Sequence, residues 1–146
     1  MSTKRQGTGE DYPEAVLKHC DDARRLMVGN RPDGAAYLAG YAVECTLKTL
    51  VQVEEGSNRL IKNHNLNSLS HQALSLAAQP SSKTAKYFSN PALTTLNYGN
   101  PPAGWVEYLR YFPVGTIPAP TAEQWVVEAE RLYIEIIGEL QKDGEI

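Results

Sequence analysis

Apolar residues return at three- and four-residue steps along most of this chain, the period of helices buried on one side. From Asp11, the residues Ala15, Val16, Cys20, Ala23, Leu26 and Met27 form one such face, with Lys18, Asp21, Asp22, Arg24 and Arg25 mostly between them. Pro13 suits a first turn, and GNRPDG at 29–34 ends this helix and opens a short turn. Asp33 then stands as the cap of a second helix, whose apolar run continues to about Val53 before Gly56. The segment EEGSNRLIKNHN, 54–65, reads as a polar loop with one apolar pair, Leu60 and Ile61. A third helix from about Asn65 to Gln79 turns Leu66, Leu69, Ala73, Leu76 and Ala77 inward, and Pro80 stops it.

Beyond Pro80 the pattern weakens. Asn90 and Pro91 read as the cap and first position of a short fourth helix that Gly99 stops, preceded by a helical turn over residues 83–88. Residues 100–120 are rich in Pro and Gly but too apolar to float free. They are expected to pack across the bundle, with one short turn from Trp105 to Arg110. Thr121 and Gln124 match a capping box after Pro120, and Val126, Ala129, Leu132, Tyr133, Ile136, Ile137 and Leu140 face inward from the last helix. Nothing alternates with the period of a strand. The pattern therefore predicts an all-α fold: an up-and-down, antiparallel bundle of four to five helices. It forms a single domain over residues 11–142, behind a disordered polar lead-in at 1–10.

Charge and composition narrow the function. The 146 residues carry a net charge of −3, so a general nucleic-acid coat is excluded and any such contact rests on a local patch. The two cysteines, Cys20 and Cys45, sit beside apolar residues and read as reduced core thiols of a cytoplasmic protein. The three histidines, His19, His64 and His71, are scattered without metal-ligand spacing, so neither a metal nor another cofactor is expected. The N-terminal MSTKRQGTGE has no apolar run of the kind that directs secretion. The run from Ala35 to Val51 is short for a bilayer and carries Glu44 and Lys48 at its centre, so no membrane insertion is expected.

Those two charges raise their own question. On a helix, Tyr37, Tyr41, Glu44 and Lys48 share one line, while the other faces carry Ala, Leu, Val and Cys. Small residues spaced by four, Ala35 with Ala39 and Ala36 with Gly40, let a neighbouring helix approach closely. Three readings of the stripe stay open. It is a structural ion pair in the favourable Glu-to-Lys order, worth roughly 0.2–0.5 kcal/mol if exposed. It is a partner-facing edge at a dimer interface. Or it lines a ligand cleft.

The segment HCDDARRLMVGNRPDGAAYLAGYAVECTLKTLV, followed by HNLNSL, resembles the HEPN domain family (higher eukaryotes and prokaryotes nucleotide-binding). The residues that carry the resemblance are Ala36, Tyr37, Leu38, Ala39, Ala42, Glu44, Leu47 and Lys48, then His64, Asn65 and Leu66. Further on, WVEYLRY is similar to the family's Trp and Arg-Tyr elements, the latter at Arg110 and Tyr111. The resemblance spans roughly residues 12 to 140. It implies a helical bundle, commonly a homodimer, acting as a nucleotide-binding module, as partner of a nucleotidyltransferase in toxin–antitoxin or defence pairs, or as a metal-independent ribonuclease.

Ribonuclease members carry an Arg, four to six residues, then His, which here fits Arg59, LIKN, His64. In such chemistry a histidine shuttles the proton of the ribose 2′-hydroxyl while an arginine grips the phosphate. Lys62, Asn65 and the start of the third helix would complete an anion site in RLIKNHN. His64 equally reads as a cap or hydrogen-bond partner of that helix start. His19 reads as structural and His71 as solvated. Arg110 reads as a pin for the Pro-rich segment, or as a group reaching Glu44 or a bound phosphate. The expected function is a nucleotide- or RNA-associated accessory module. The alternatives are a ribonuclease using Arg59 and His64, or a pure interaction module docking through Tyr37, Tyr41, Glu44 and Lys48.

Overall fold

Two prolines open the first two helices. Helix α1, Tyr12–Val28, holds Pro13 in its first turn, and α2, Pro32–Glu55, begins on Pro32 itself, positions that need no backbone donor. The computed structural model describes residues 1–88, 96 and 99–146. Between α1 and α2 the chain reverses through Asn30, whose φ of 59° lies in the left-handed region that Asn tolerates better than most side chains. The Asn30 and Arg31 N–H groups bond the Met27 and Leu26 carbonyls there, closing the end of α1. Helix α2 ends on Gly56, at φ 65°, where the N–H groups of Gly56 and Ser57 satisfy Val53 and Gln52.

Helix α3, Leu66–Ala77, is capped by Asn65, whose side chain accepts from the Ser68 N–H at 2.8 Å. An Asn65→Ala change is expected to lower stability by about 1 kcal/mol. In a urea titration that means an earlier midpoint at unchanged slope. A 3-10 turn covers Glu107–Tyr111. Helix α4, Ala119–Leu132, then runs through a π-helical stretch, Tyr133–Gly138, into a last turn at Glu139–Lys142. No strand occurs among the described residues, and the bundle is all-helical. None of its helices is long and apolar enough to cross a membrane, among those residues. The expected fourth helix, Asn90 to Gly99, falls mainly on positions outside the described residues.

Helix α2 is the axle of the bundle, with α1, α4 and α3 all packed against it. Its Ala35, Ala36 and Ala39 are completely buried, as are Val16 and Ala23 of α1 and Val126 of α4. Small side chains here bring the helices close and leave few voids. At the rim of α1 and α4, Arg24 bridges Glu123 at 2.8 Å and Glu130 at 2.5 Å. Cys20 and Cys45 are free, buried thiols, and burial pushes both up to about 12, so they stay protonated. Residues 1–10, expected as a disordered lead-in, touch the bundle at several points: Asn58 donates to the Ser2 and Lys4 carbonyls, and Thr3 to the Asp11 carboxylate.

Three local expectations are corrected. Thr121 and Gln124 form no capping box, because α4 starts earlier, behind Pro118, and takes Pro120 into its first turn. Asp33 does not cap α2, because Pro32 already occupies the first helical position. The Asp33 carboxylate instead accepts the N–H groups of Gly115 and Ile117 at 2.9 and 3.0 Å, fastening the Pro-rich segment to the start of α2. Gly40, expected to admit a helix, admits an indole: a Cβ there would lie 2.0 Å from Trp105 Nε1.

Candidate functional site

The charged stripe of α2 is covered by the loop that follows the same helix. The stripe continues one turn further than Lys48, to Gln52, and Glu44, Lys48 and Gln52 are all buried. Residues 56–65 cross it and are fastened at successive points. The Gln52 amide donates to the Arg59 carbonyl at 3.0 Å. The Tyr12 hydroxyl, from α1, accepts the Ile61 N–H at 2.9 Å and donates to the Ile61 carbonyl at 3.3 Å. His64 Nδ1 meets Glu44 Oε1 at 2.6 Å. The next residue, Asn65, starts α3, so the strap ends with His64 held between two helices.

This arrangement accounts for an acid and a base inside an otherwise apolar helix. Glu44 and Lys48 are 2 % and 3 % exposed, and Glu44 Oε2 lies 3.7 Å from Lys48 Nζ. Burial raises the Glu44 carboxyl above the usual carboxylate range, while Lys48 and His64 pull it back. The Lys48 ammonium also lies 5.4 Å from the centre of the Tyr12 ring. Glu44 therefore has partners on two sides, the Lys48 ammonium in the interior and the His64 ring at the surface. With Glu44 ionised, the His64 Nδ1 carries the shared proton, and a neutral ring keeps its Nε2 lone pair.

Aromatic rings hold the other end of the stripe. Tyr41 packs edge-on against Trp105 at 5.1 Å, against Tyr37 at 5.1 Å, and against His64 at 6.5 Å between ring centres. Burial, and then the bond with Tyr37, push the Tyr41 phenol above its ordinary value. The Trp105 indole donates to the Tyr37 carbonyl at 3.0 Å, which brings the 3-10 turn up to the stripe. That turn delivers Glu107, whose Oε2 lies 3.6 Å from His64 Nε2. Arg110 donates to the Tyr37 hydroxyl at 3.2 Å and lies over the Tyr111 ring. It touches the tyrosine end of the stripe, whereas Glu44 is held by Lys48 and His64.

Beside His64 opens a cleft of about 370 Å³, lined among others by Asn65, Asn67, Trp105, Glu107 and Tyr108. A larger hollow of about 790 Å³ lies between the Ser2–Gly9 loop and Asn58. That hollow gathers backbone and flexible side chains, whereas the His64 cleft holds an imidazole oriented by a buried carboxylate. The cleft is the better candidate for chemistry.

Of the site residues read from the sequence, Tyr37, Tyr41, Glu44, Lys48, His64 and Asn65 come together here, with Arg110 at the edge. Arg59 has other business. Its guanidinium grips Glu55 on the last turn of α2, at 2.7 and 2.9 Å, so the structure ties Arg59 and His64 to different carboxylates. Lys62 is exposed on the strap. Sequence reasoning missed Tyr12, Gln52 and Glu107. Gln52 was within reach of the stripe's own period, four residues past Lys48; Glu107 had no local signal. His19 stacks beside Tyr41 at 5.9 Å, and burial lowers its pKa. No group of three acidic, His or Cys side chains among the described residues is placed to hold a metal ion. No family model matches the chain, and neither a curated protein nor a solved structure does.

Proposed function

We propose that this chain is a HEPN-like, cytoplasmic helical module that binds a nucleotide or an RNA segment in the cleft at His64. In this reading it works as a homodimeric accessory protein, with a nucleotidyltransferase of a toxin–antitoxin or defence pair as the fitting partner. The observation that carries the reading is the 2.6 Å bond between Glu44 and His64. The two residues stand in separate motifs of the resemblance, and the fold brings them into one hydrogen-bonded unit at the mouth of a cleft.

The chemistry fits a ligand site. An imidazole fixed by a buried carboxylate is preorganised, so little rotamer freedom is lost when a ligand arrives. The unbonded ring nitrogen can donate or accept according to its charge. Calorimetric titration with ATP, GTP and a short single-stranded RNA is expected to show binding by at least one of them. His64→Ala is expected to weaken that binding by about tenfold or more, the loss of one charge-assisted hydrogen bond. Flat traces for all three ligands would remove the reading.

The orientation of His64 also favours a second reading, metal-independent RNA cleavage with His64 as the proton shuttle. Arg59 enters it only by leaving Glu55 or by reaching the site from a second copy. Incubation with labelled RNA separates the two readings: cleavage that disappears in both His64→Ala and Arg59→Ala supports the enzyme, and intact RNA with retained binding supports the module.

A further inference from the structure

We infer that the His64 cleft reads the edge of a nucleobase rather than a phosphate, and that the base it fits is guanine. The inference rests on the ligand-binding reading above and names the part of the ligand that enters.

A phosphate site needs Lys or Arg donors, or several free N–H groups, aimed at the anion. Among the described lining residues the one carboxylate is that of Glu107 and no Lys or Arg occurs, while the remaining polar side chains include the His64 imidazole, amides and a phenol. Lys48 is walled off behind Glu44, and Arg59 is paired with Glu55. The start of α3 has fewer donors left for an anion, because the Asn65 side chain already takes the Ser68 N–H and the Asn63 side chain takes the Asn65 N–H. A dianion would meet Glu107 at the entrance and be repelled.

A neutral heterocycle meets a different surface. Glu107, 44 % exposed at its side chain, presents a carboxylate whose contact with His64 Nε2, at 3.6 Å, is too long for a hydrogen bond. A carboxylate accepts two parallel donors. Among the common bases, guanine alone sets two N–H donors side by side on its Watson–Crick edge, N1–H and the N2 amino group. Adenine and cytosine place an acceptor beside their amino group, and uracil flanks its single N–H with two carbonyls. The Asn67 amide can donate to the remaining O6 or N7 acceptors. The Tyr108 ring, 49 % exposed at the rim, offers a face for stacking, with Phe112 backing it at 6.0 Å between centres. The cleft volume suits one base and its sugar, not a folded nucleic acid.

The test is a set of calorimetric titrations of the full chain with guanosine, inosine, adenosine and inorganic phosphate. Guanosine is expected to bind about tenfold tighter than adenosine, with inosine between them because it lacks the N2 donor. Inorganic phosphate is expected to give no heat. Glu107→Gln replaces one acceptor oxygen by a donor and is expected to cut guanosine affinity about tenfold without weakening adenosine, whose amino group and neighbouring acceptor match an amide; a melting curve matching the parent chain shows that the exposed substitution has not disturbed folding. Equal affinities for guanosine and adenosine, or guanosine binding untouched by Glu107→Gln, would overturn the inference. If nucleosides give nothing while ATP, GTP or RNA bind, the base-edge inference falls and the ligand-binding reading stands. If nothing binds, both fall.

Discussion

Gly40→Ala is expected to destabilise the bundle by roughly 3 kcal/mol, close to the effect of removing a large core side chain. A Cβ at this position would lie 2.0 Å from Trp105 Nε1 and 2.1 Å from its Cδ1 and Cε2. No contact at that distance survives, and neither neighbour yields easily. Residue 40 sits inside α2, whose backbone is fixed on both sides, and the indole is 4 % exposed, bonded to the Tyr37 carbonyl and packed on Tyr41. The indole must therefore leave its seat. Helix propensity alone predicts the opposite sign, since Ala is favoured over Gly in a helix interior by about 1 kcal/mol. A urea titration decides between them: an earlier midpoint means the notch holds the indole, and a later one means it does not. Because Trp105 also lines the cleft, nucleotide binding is expected to disappear in Gly40→Ala even at temperatures where the chain remains folded.

What could be read beforehand divides along the range of the interactions. Helices α1 and α3 and the end of α2 are bounded by Pro, Gly and Asn, whose backbone preferences act within a residue or two, so these limits follow from the letters. The start of α4 fails on the same grounds. Pro120 is equally at home before a helix and in its first turn, and Thr121 with Gln124 supplies a false cap. The π-helical stretch after α4 is hidden because Leu132, Ile136, Ile137 and Leu140 keep a spacing that an ordinary helix also gives. The stripe of α2 was legible as a line, since periodicity is local. Its covering was not. That Glu44 faces His64 depends on the path of residues 56–65, and that Glu107 reaches the same ring depends on how the 3-10 turn docks through Trp105 and Asp33. Neither path has a local code. The Asp33 carboxylate looked like a cap for the same reason: its true partners, Gly115 and Ile117, are far along the chain.

Glu44→Ala is expected to destabilise the chain by roughly 3–5 kcal/mol, because it strands an ammonium in the interior. Lys48 is 3 % exposed, and without Glu44 its remaining neighbour of note is the Tyr12 ring. His64 loses its anchor in the same stroke, so ligand binding is expected to weaken with stability. The double change Glu44→Leu with Lys48→Met should recover most of the stability and none of the binding, since an apolar pair of similar volume has no charge to desolvate. A double variant as weak as Glu44→Ala would mean that packing, not the stranded charge, sets the loss. The proton inventory gives an independent check. Burial raises the Glu44 carboxyl above 4.5, so between that value and its raised one the folded chain keeps a proton that the unfolded chain has released. Stability contributed by this group is present below the unfolded value and is lost as pH rises through the window. Other carboxylates, such as Glu54 and Glu55, are lowered by their hydrogen bonds and act with the opposite sign. The reading is therefore the difference between the parent chain and Glu44→Gln. That difference is expected to shift against the parent as pH rises from about 4.5, and a shift in its favour would mean that Lys48 and His64 outweigh burial at this carboxylate.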